Sequence, residues 1–262
     1  LEAALILGIF LGLLSRVGRR EQEKMVWLGA SLAALVSLAS GLDLYSVGIS
    51  FEGKAEELFE GVAILLAAGV LTWMIFWMNR QGHAIQTGLE QDAHRAATGG
   101  GRWAIFSLAF LAVFREGIEL ALFLTAAAFT VSATAVVIGA VAGLAAAVAA
   151  GWLLFATTTR LNVQAFFRVT SVLLIFFAAG LVAHGVHELN EAGLIPAVVE
   201  HVWDINPVLD EGGTVGTLLK ALFGYNGNPS VLEVIAYVAY LAVVGIASFR
   251  PARVMGPARA NA

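Results

Sequence analysis

The chain has no cysteine among its 262 residues, which removes disulfides, covalent haem attachment and thiolate metal sites together. Its only sulfur is in four methionines, which disfavours a soft-ligand path for copper(I) and leaves oxygen ligands for hard cations. Charge is scarce too: 13% of residues are charged, 59% are hydrophobic and the mean hydropathy is +0.84. Soluble domains typically hold about 25% charged and roughly 45–50% apolar residues, so water is not the main solvent of this chain. No nucleophile constellation, nucleotide-binding motif or zinc-protease motif is present, and an enzymatic role or a nucleic-acid partner has no support.

Apolar length is what the chain has in abundance. Runs near the roughly 20 residues that cross a hydrocarbon core recur, and the spacing predicts seven spans at 1–14, 25–42, 58–78, 103–130, 133–157, 169–186 and 231–249. The reading is an all-α, polytopic membrane protein forming a single transmembrane domain over 1–262. The first run is too short to cross and lacks the basic start of a signal peptide, so a helix one truncated at its N-terminus is expected. Glycine and proline in the segment 192–230 flank an apolar stretch at 214–225 that can form a short interfacial or re-entrant helix. Gly8 with Gly12, and Gly139 with Gly143, have small-xxx-small spacing compatible with close helix contact.

Basic residues give an orientation. Twelve of the fifteen fall in breaks of one parity, from Arg16, Arg19, Arg20 and Lys24 through to Arg250, Arg253 and Arg259, whereas the other parity holds only Lys54 and Lys220. Because Lys and Arg are retained on the cytoplasmic side, the N-terminus is expected outside and the C-terminus in the cytoplasm. Trp27, Trp77 and Trp103 then fall near cytoplasmic ends, as interfacial anchors. Most acidic residues lie on the opposite face, which would raise the local concentration of cations there.

The fourth span carries Arg115-Glu116-Gly117-Ile118-Glu119 near its middle. At about 2.5–3.5 kcal/mol for each such group at a helix centre, three ionisable residues there need compensation. On a helix, Arg115 and Glu119 are i,i+4 neighbours, and Glu116 and Glu119 are i,i+3 neighbours. Both carboxylates can therefore share one face, with the guanidinium orienting them and lone pairs left for a metal. A buried ion pair locking helices is the plain alternative, but one arginine neutralises one glutamate, and a transported cation would neutralise the other.

The pattern Leu1-Glu2-Ala3-Ala4-Leu5-Ile6-Leu7 matches Ile118-Glu119-Leu120-Ala121-Leu122-Phe123-Leu124 and aligns Glu2 with Glu119. The two lie in spans one and four, which run in opposite directions. This is a three-plus-three inverted repeat, one copy about 1–80 and the other about 103–191, with a last helix at 231–249. Such repeats place a substrate site at the midplane, and a metal set of Glu2, Glu116 and Glu119 with Arg115 beside them is expected, completed by an acidic residue preceding Leu1.

The Arg115 to Glu119 motif, the partial Leu1-Glu2 copy and His187-Glu188-Leu189-Asn190-Glu191-Ala192-Gly193 together resemble the high-affinity iron permease family, over nearly the whole chain. That family spans fungal oxidase-coupled and bacterial EfeU-type permeases. The resemblance implies iron as the transported substrate, no bound organic cofactor, and a bacterial inner (plasma) membrane location. It also implies partner proteins outside the cytoplasm, an iron-oxidising peroxidase or ferroxidase and an iron-binding component, with oligomer formation open. Carboxylates alone do not separate iron from manganese or magnesium, so the choice of iron rests on this resemblance. An outer capture site is expected at His184, His187, Glu188 and Glu191, which share one helical face, with Glu56, Glu57 and Glu60 opposite. Two rival readings are a proton-coupled carrier of another divalent cation, and a membrane scaffold or enzyme using the buried Arg/Glu cluster.

Overall fold

Among the described residues every regular element is a helix. The structure, a computed structural model, describes residues 7–8, 11–12, 14, 20–81, 102–156, 163–196 and 198–249. A 3-10 turn at Arg20–Gln22 leads into α1 (Glu23–Gly48). Then come α2 (Lys54–Gln81), α3 (Arg102–Thr130), α4 (Ala133–Ala156), α5 (Val163–Glu191), the short α6 (Thr214–Phe223) and α7 (Val231–Phe249). Only Leu7, Gly8, Leu11, Gly12 and Leu14 of the first span are described, as helix, and Glu2 lies outside the described residues.

Helices α3, α4 and α7 end within one residue of the expected spans. Helices α1, α2 and α5 run past their apolar stretches, α1 by six residues to Gly48 and α5 by five to Glu191. A helix ends where its backbone bonding ends, not where hydrophobicity does, so the polar ends remain helical. Helices α1, α2, α5 and α7 are each long and apolar enough to cross a membrane. With 29 residues, α3 is about 43 Å long at 1.5 Å per residue, which also suffices, but Arg115, Glu116 and Glu119 interrupt its middle.

Contacts fix the helix directions. Gly29 meets Phe106, Ser37 meets Gly117, Gly41 meets Ala121 and Gly48 meets Phe129, so α1 and α3 run parallel. Gly61 lies against Gly185, and Leu71 and Ile75 pack with Ile175 and Ala178, which makes α2 and α5 antiparallel. Val244 joins that second cluster while Glu233 reaches His187, so α7 is antiparallel to α5. These directions agree with alternating passage of the chain. They also gather the α1–α2 turn, the end of α3, the end of α5, the segment 192–230 and the start of α7 at one end, called here the loop-rich end.

Large apolar side chains point outward, as lipid requires. Leu35, Leu38 and Leu42 on α1, and Val137, Ile138, Val141 and Leu144 on α4, are all more than 60% exposed. Inside, small residues let backbones approach. Gly29, Ala33, Ser37 and Gly41 of α1 form a ladder with a step of four, and a Cβ on Gly117 would fall 2.2 Å from Ser37 Oγ. By contrast, a Cβ on Gly139 or Gly143 meets nothing within 4 Å, so the spacing noted there makes no close contact among the described residues.

The expected short helix is present as α6. It ends at Gly224, whose φ of +67° is a left-handed cap that glycine adopts without strain. The Gly224 backbone rests on Gly180 of α5, where a Cβ on Gly224 would fall 2.2 Å from the Gly180 Cα. This crossing brings the end of α6 one turn from His184.

Candidate functional site

Two separate groups of ionisable residues emerge, one in the middle of α3 and one at the loop-rich end.

In α3 the continuous helix delivers the i,i+4 relation: Arg115 Nε lies 3.3 Å from Glu119 Oε1 and donates to it. The guanidinium also lies over two indoles of α2, 4.9 Å from the Trp77 ring centre and 5.7 Å from that of Trp73, which stack on each other. Trp77, expected as an interfacial anchor, also carries the arginine. Cation–π contact favours the charge by about 0.5–2 kcal/mol per ring depending on desolvation. Glu119 is largely buried, with its side chain 17% exposed, and Glu116 is half-buried one turn back. The glycine between them permits the contact of α3 with Ser37, whose Oγ is buried with no hydrogen-bond partner among the described residues.

At the loop-rich end the extension of α5 to Glu191 turns the expected face into two His–Glu pairs, each one turn apart. His184 Nε2 is 3.3 Å from Glu188 Oε1, and His187 Nε2 is 3.2 Å from Glu191 Oε1, with the imidazole rings stacked. The first pair is close but not aligned for a hydrogen bond, and His184 Nε2 is a buried atom without one. Glu57 Oε2 and both amide atoms of Asn190 are likewise buried and without a hydrogen-bond partner among the described residues. Such groups cost about 1–3 kcal/mol each when unsatisfied, so a polar ligand or cation is welcome here. Glu60 and Glu57 of α2 face this end: a Cβ on Gly61 would lie 3.1 Å from that of Glu188, and Glu188 feels the charges of both. Glu56 sits in the first turn of α2 beside Glu57.

Beside them is a cavity of about 20 Å³, room for about one water, lined among others by Thr130, His184, Lys220, Asn226 and Glu233. Lys220 of α6 donates to Glu211. Among the described residues no three His, Asp or Glu side chains converge on a single metal point; the arrangement is one of separate His–Glu pairs.

Sequence reasoning missed Glu233, which is 3% exposed. Its carboxylate accepts from Ser230 N (3.1 Å) and Asn226 Nδ2 (2.7 Å), and its Oε1 lies 3.1 Å from His187 Nδ1. Ser230-Val231-Leu232-Glu233 has the capping-box spacing, and Glu233 N donates back to Ser230 Oγ. That signal marks the start of α7 but not the histidine.

Glu116 and Glu119 lie about eleven to fourteen residues before the end of α3 at the loop-rich end, or roughly 16–21 Å along its axis. Between the two groups Ile64, Ala67, Ala68, Ala126 and Leu181 are packed at 0–2% exposure, so the interior of α2, α3 and α5 is closed to an ion in this conformation.

An all-α chain with several membrane-crossing helices, carboxylates in the middle of one helix and His–Glu pairs at one end fits the class of cation transporters. The chain belongs to the iron permease FTR1 family, whose model matches residues 1–256. It is similar to the ferrous iron permease EfeU of Escherichia coli O6:H1, 38% identical over 255 residues that cover 97% of this chain and 92% of that protein. The Yersinia pestis ferrous iron permease EfeU is 36% identical over 256 residues, 97% and 90% of the two chains. An Escherichia coli K12 relative described as inactive is also 38% identical. No solved structure matches. Membership makes the chain a permease rather than an enzyme, and iron transport across a membrane its function.

Proposed function

We propose that the chain imports iron into the cytoplasm, with the loop-rich end facing outward, and that the two groups described above are successive stations for the ion. His184, His187, Glu188 and Glu191, with Glu56, Glu57 and Glu60 opposite, capture the ion; Glu116 and Glu119, held by Arg115, pass it on, joined by Glu2 of the first span. The observation that carries this reading is the pair of i,i+4 His–Glu couples beside unpartnered buried polar atoms, a mixed nitrogen and oxygen set suited to iron. In keeping with the names of its relatives, the ion arrives as Fe(II); oxidation at the entrance falls to a peroxidase or ferroxidase partner. The packed apolar layer between the stations requires a rearrangement for passage, and an inverted repeat of 1–80 and 103–191 supplies two bodies that can rock about a central site.

The test is initial uptake of radioactive Fe(II) by purified protein in sealed vesicles, with Mg(II) and Mn(II) as competitors. Saturable iron accumulation that Mg(II) does not suppress is expected. Uptake no faster than in protein-free vesicles, or equal uptake of Mg(II), overturns the reading.

A further inference from the structure

We propose that Glu233 is the positioning residue of the entrance: it holds His187 in the form protonated at Nδ1 and so presents Nε2, beside Glu191, as the nitrogen ligand for an incoming transition-metal cation. This rests on the reading of the loop-rich end as the capture site.

The hydrogen-bond network determines the donors. Asn228 N donates to Asn226 Oδ1 at 2.8 Å, which fixes the Asn226 amide with its NH2 toward Glu233 Oε2, 2.7 Å away. The Ser230 backbone N–H donates to Oε1. Both carboxylate oxygens of Glu233 thus accept from donors that have no alternative role, as an ionised carboxylate does. His187 Nδ1, 3.1 Å from Oε1, must then bring its own hydrogen. Nε2 is left to face Glu191 Oε1 at 3.2 Å, on a side chain 35% exposed, and a cation arriving there takes the place of any proton bridging the two atoms. Carboxylate support of the far ring nitrogen fixes ring orientation and raises ligand basicity, and its loss typically costs about 10–100-fold in metal affinity. An imidazole nitrogen paired with one carboxylate suits iron better than magnesium or calcium, which prefer all-oxygen shells. The entrance therefore discriminates before the ion reaches the all-carboxylate station in α3.

Glu233 also caps α7, and the test separates the two roles. The chain has five histidines, so ring-15N histidine solid-state NMR of the full chain in lipid can resolve His187, assigned with His187→Asn. In the wild type, Nδ1 should be protonated and Fe(II), added anaerobically, should perturb Nε2 and leave the Nδ1 proton in place. A wild-type His187 protonated at Nε2 alone overturns the proposal without any variant. Glu233→Gln keeps the capping box and one oxygen for Nδ1, so it should retain the Nδ1–H form with at most a several-fold loss of apparent affinity. Glu233→Leu should lose that preference and weaken Fe(II) perturbation at least tenfold, whereas Ser230→Ala, which removes only the capping hydroxyl, should leave the His187 signals in place. If Glu233→Leu leaves the His187 signals and their response to Fe(II) unchanged, Glu233 is a cap and nothing more. If the wild-type ring has the expected form but Fe(II) does not perturb it, the capture reading falls and the ligand role with it, while the Nδ1 bond to Glu233 stands as structure.

Discussion

The ionic group in α3 and the group at the loop-rich end are built in opposite ways. Arg115 and Glu119 are four residues apart on one helix, and the guanidinium makes its further described contacts with two indoles. The entrance group draws on α2, α5, α7 and the segment 192–230, and joins His187 to a glutamate 46 residues away. A local arrangement ties its charges to residues one helical turn apart, so its residues are hard to replace. A distributed one shares its load, and single changes there should be graded. Substitution can break this contrast.

The largest effect is expected at Glu119 and Glu116. Glu119→Gln removes the charge that Arg115 Nε contacts at 3.3 Å and so reduces the compensation of the arginine. Uptake should fall at least a hundredfold for either Gln variant, with insertion and monodispersity preserved. A well-folded Glu116→Gln or Glu119→Gln protein that transports at the normal rate removes that residue from the path.

Next comes Gly117. Any side chain there collides with Ser37 Oγ, 2.2 Å from the Cβ position, and overpacking of this kind costs about 1–3 kcal/mol. Gly117→Ala should lower the resistance of the protein in detergent to thermal unfolding, and Ser37→Gly should restore part of it by vacating the contact. If the double variant is no more stable than Gly117→Ala, the two positions do not touch in the folded protein.

Arg115→Lys should cost less than loss of a carboxylate but should not be neutral. Lysine keeps the charge yet gives up the Nε donor and the planar group that lies over Trp73 and Trp77. A drop of about tenfold in maximal uptake rate corresponds to roughly 1.4 kcal/mol, within the range of two cation–π contacts. Full activity of the lysine variant would show that charge balance alone is needed.

The same contrast explains what could be read from the sequence. The Arg115 to Glu119 motif and the ends of α3, α4 and α7 follow from local spacing and hydropathy. The two His–Glu pairs were also readable, because i,i+4 geometry is a property of one helix. Register between helices is not written locally. The contact of Trp77 with the arginine of α3 could not be read from hydropathy, and Gly139 and Gly143 drew notice while the contact-making ladder was Gly29, Ala33, Ser37 and Gly41. Glu233 announced itself only as a helix cap, since its bond to His187 exists only once α7 lies antiparallel to α5. The expected role of Glu2 falls outside the described residues.

The smallest effect is expected at the entrance, where Glu188 and Glu191 are replaced together by Gln. Glu191 is the exposed member, its side chain 54% open, whereas Glu188 is buried beside His184 and faces Glu60. Their loss leaves both histidines, Glu60 and Glu233 in place, so a partial site survives. If the pair serves capture, it acts by raising the local cation concentration and supplying first-contact oxygens, and removing it should raise the half-saturation concentration of iron by roughly threefold. The maximal rate should stay nearly constant, because Glu116 and Glu119 lie roughly 16–21 Å farther along α3 by helix rise, beyond the screening length of about 8 Å at physiological salt. Ionic strength sharpens the comparison: added salt should narrow the gap between wild type and variant if long-range attraction dominates, and should leave it unchanged if direct coordination does. The measurement is initial uptake against free Fe(II) in vesicles at two salt concentrations. A fall in maximal rate at constant half-saturation would move Glu188 and Glu191 out of capture and into the rearrangement that opens the packed layer between Ile64 and Leu181.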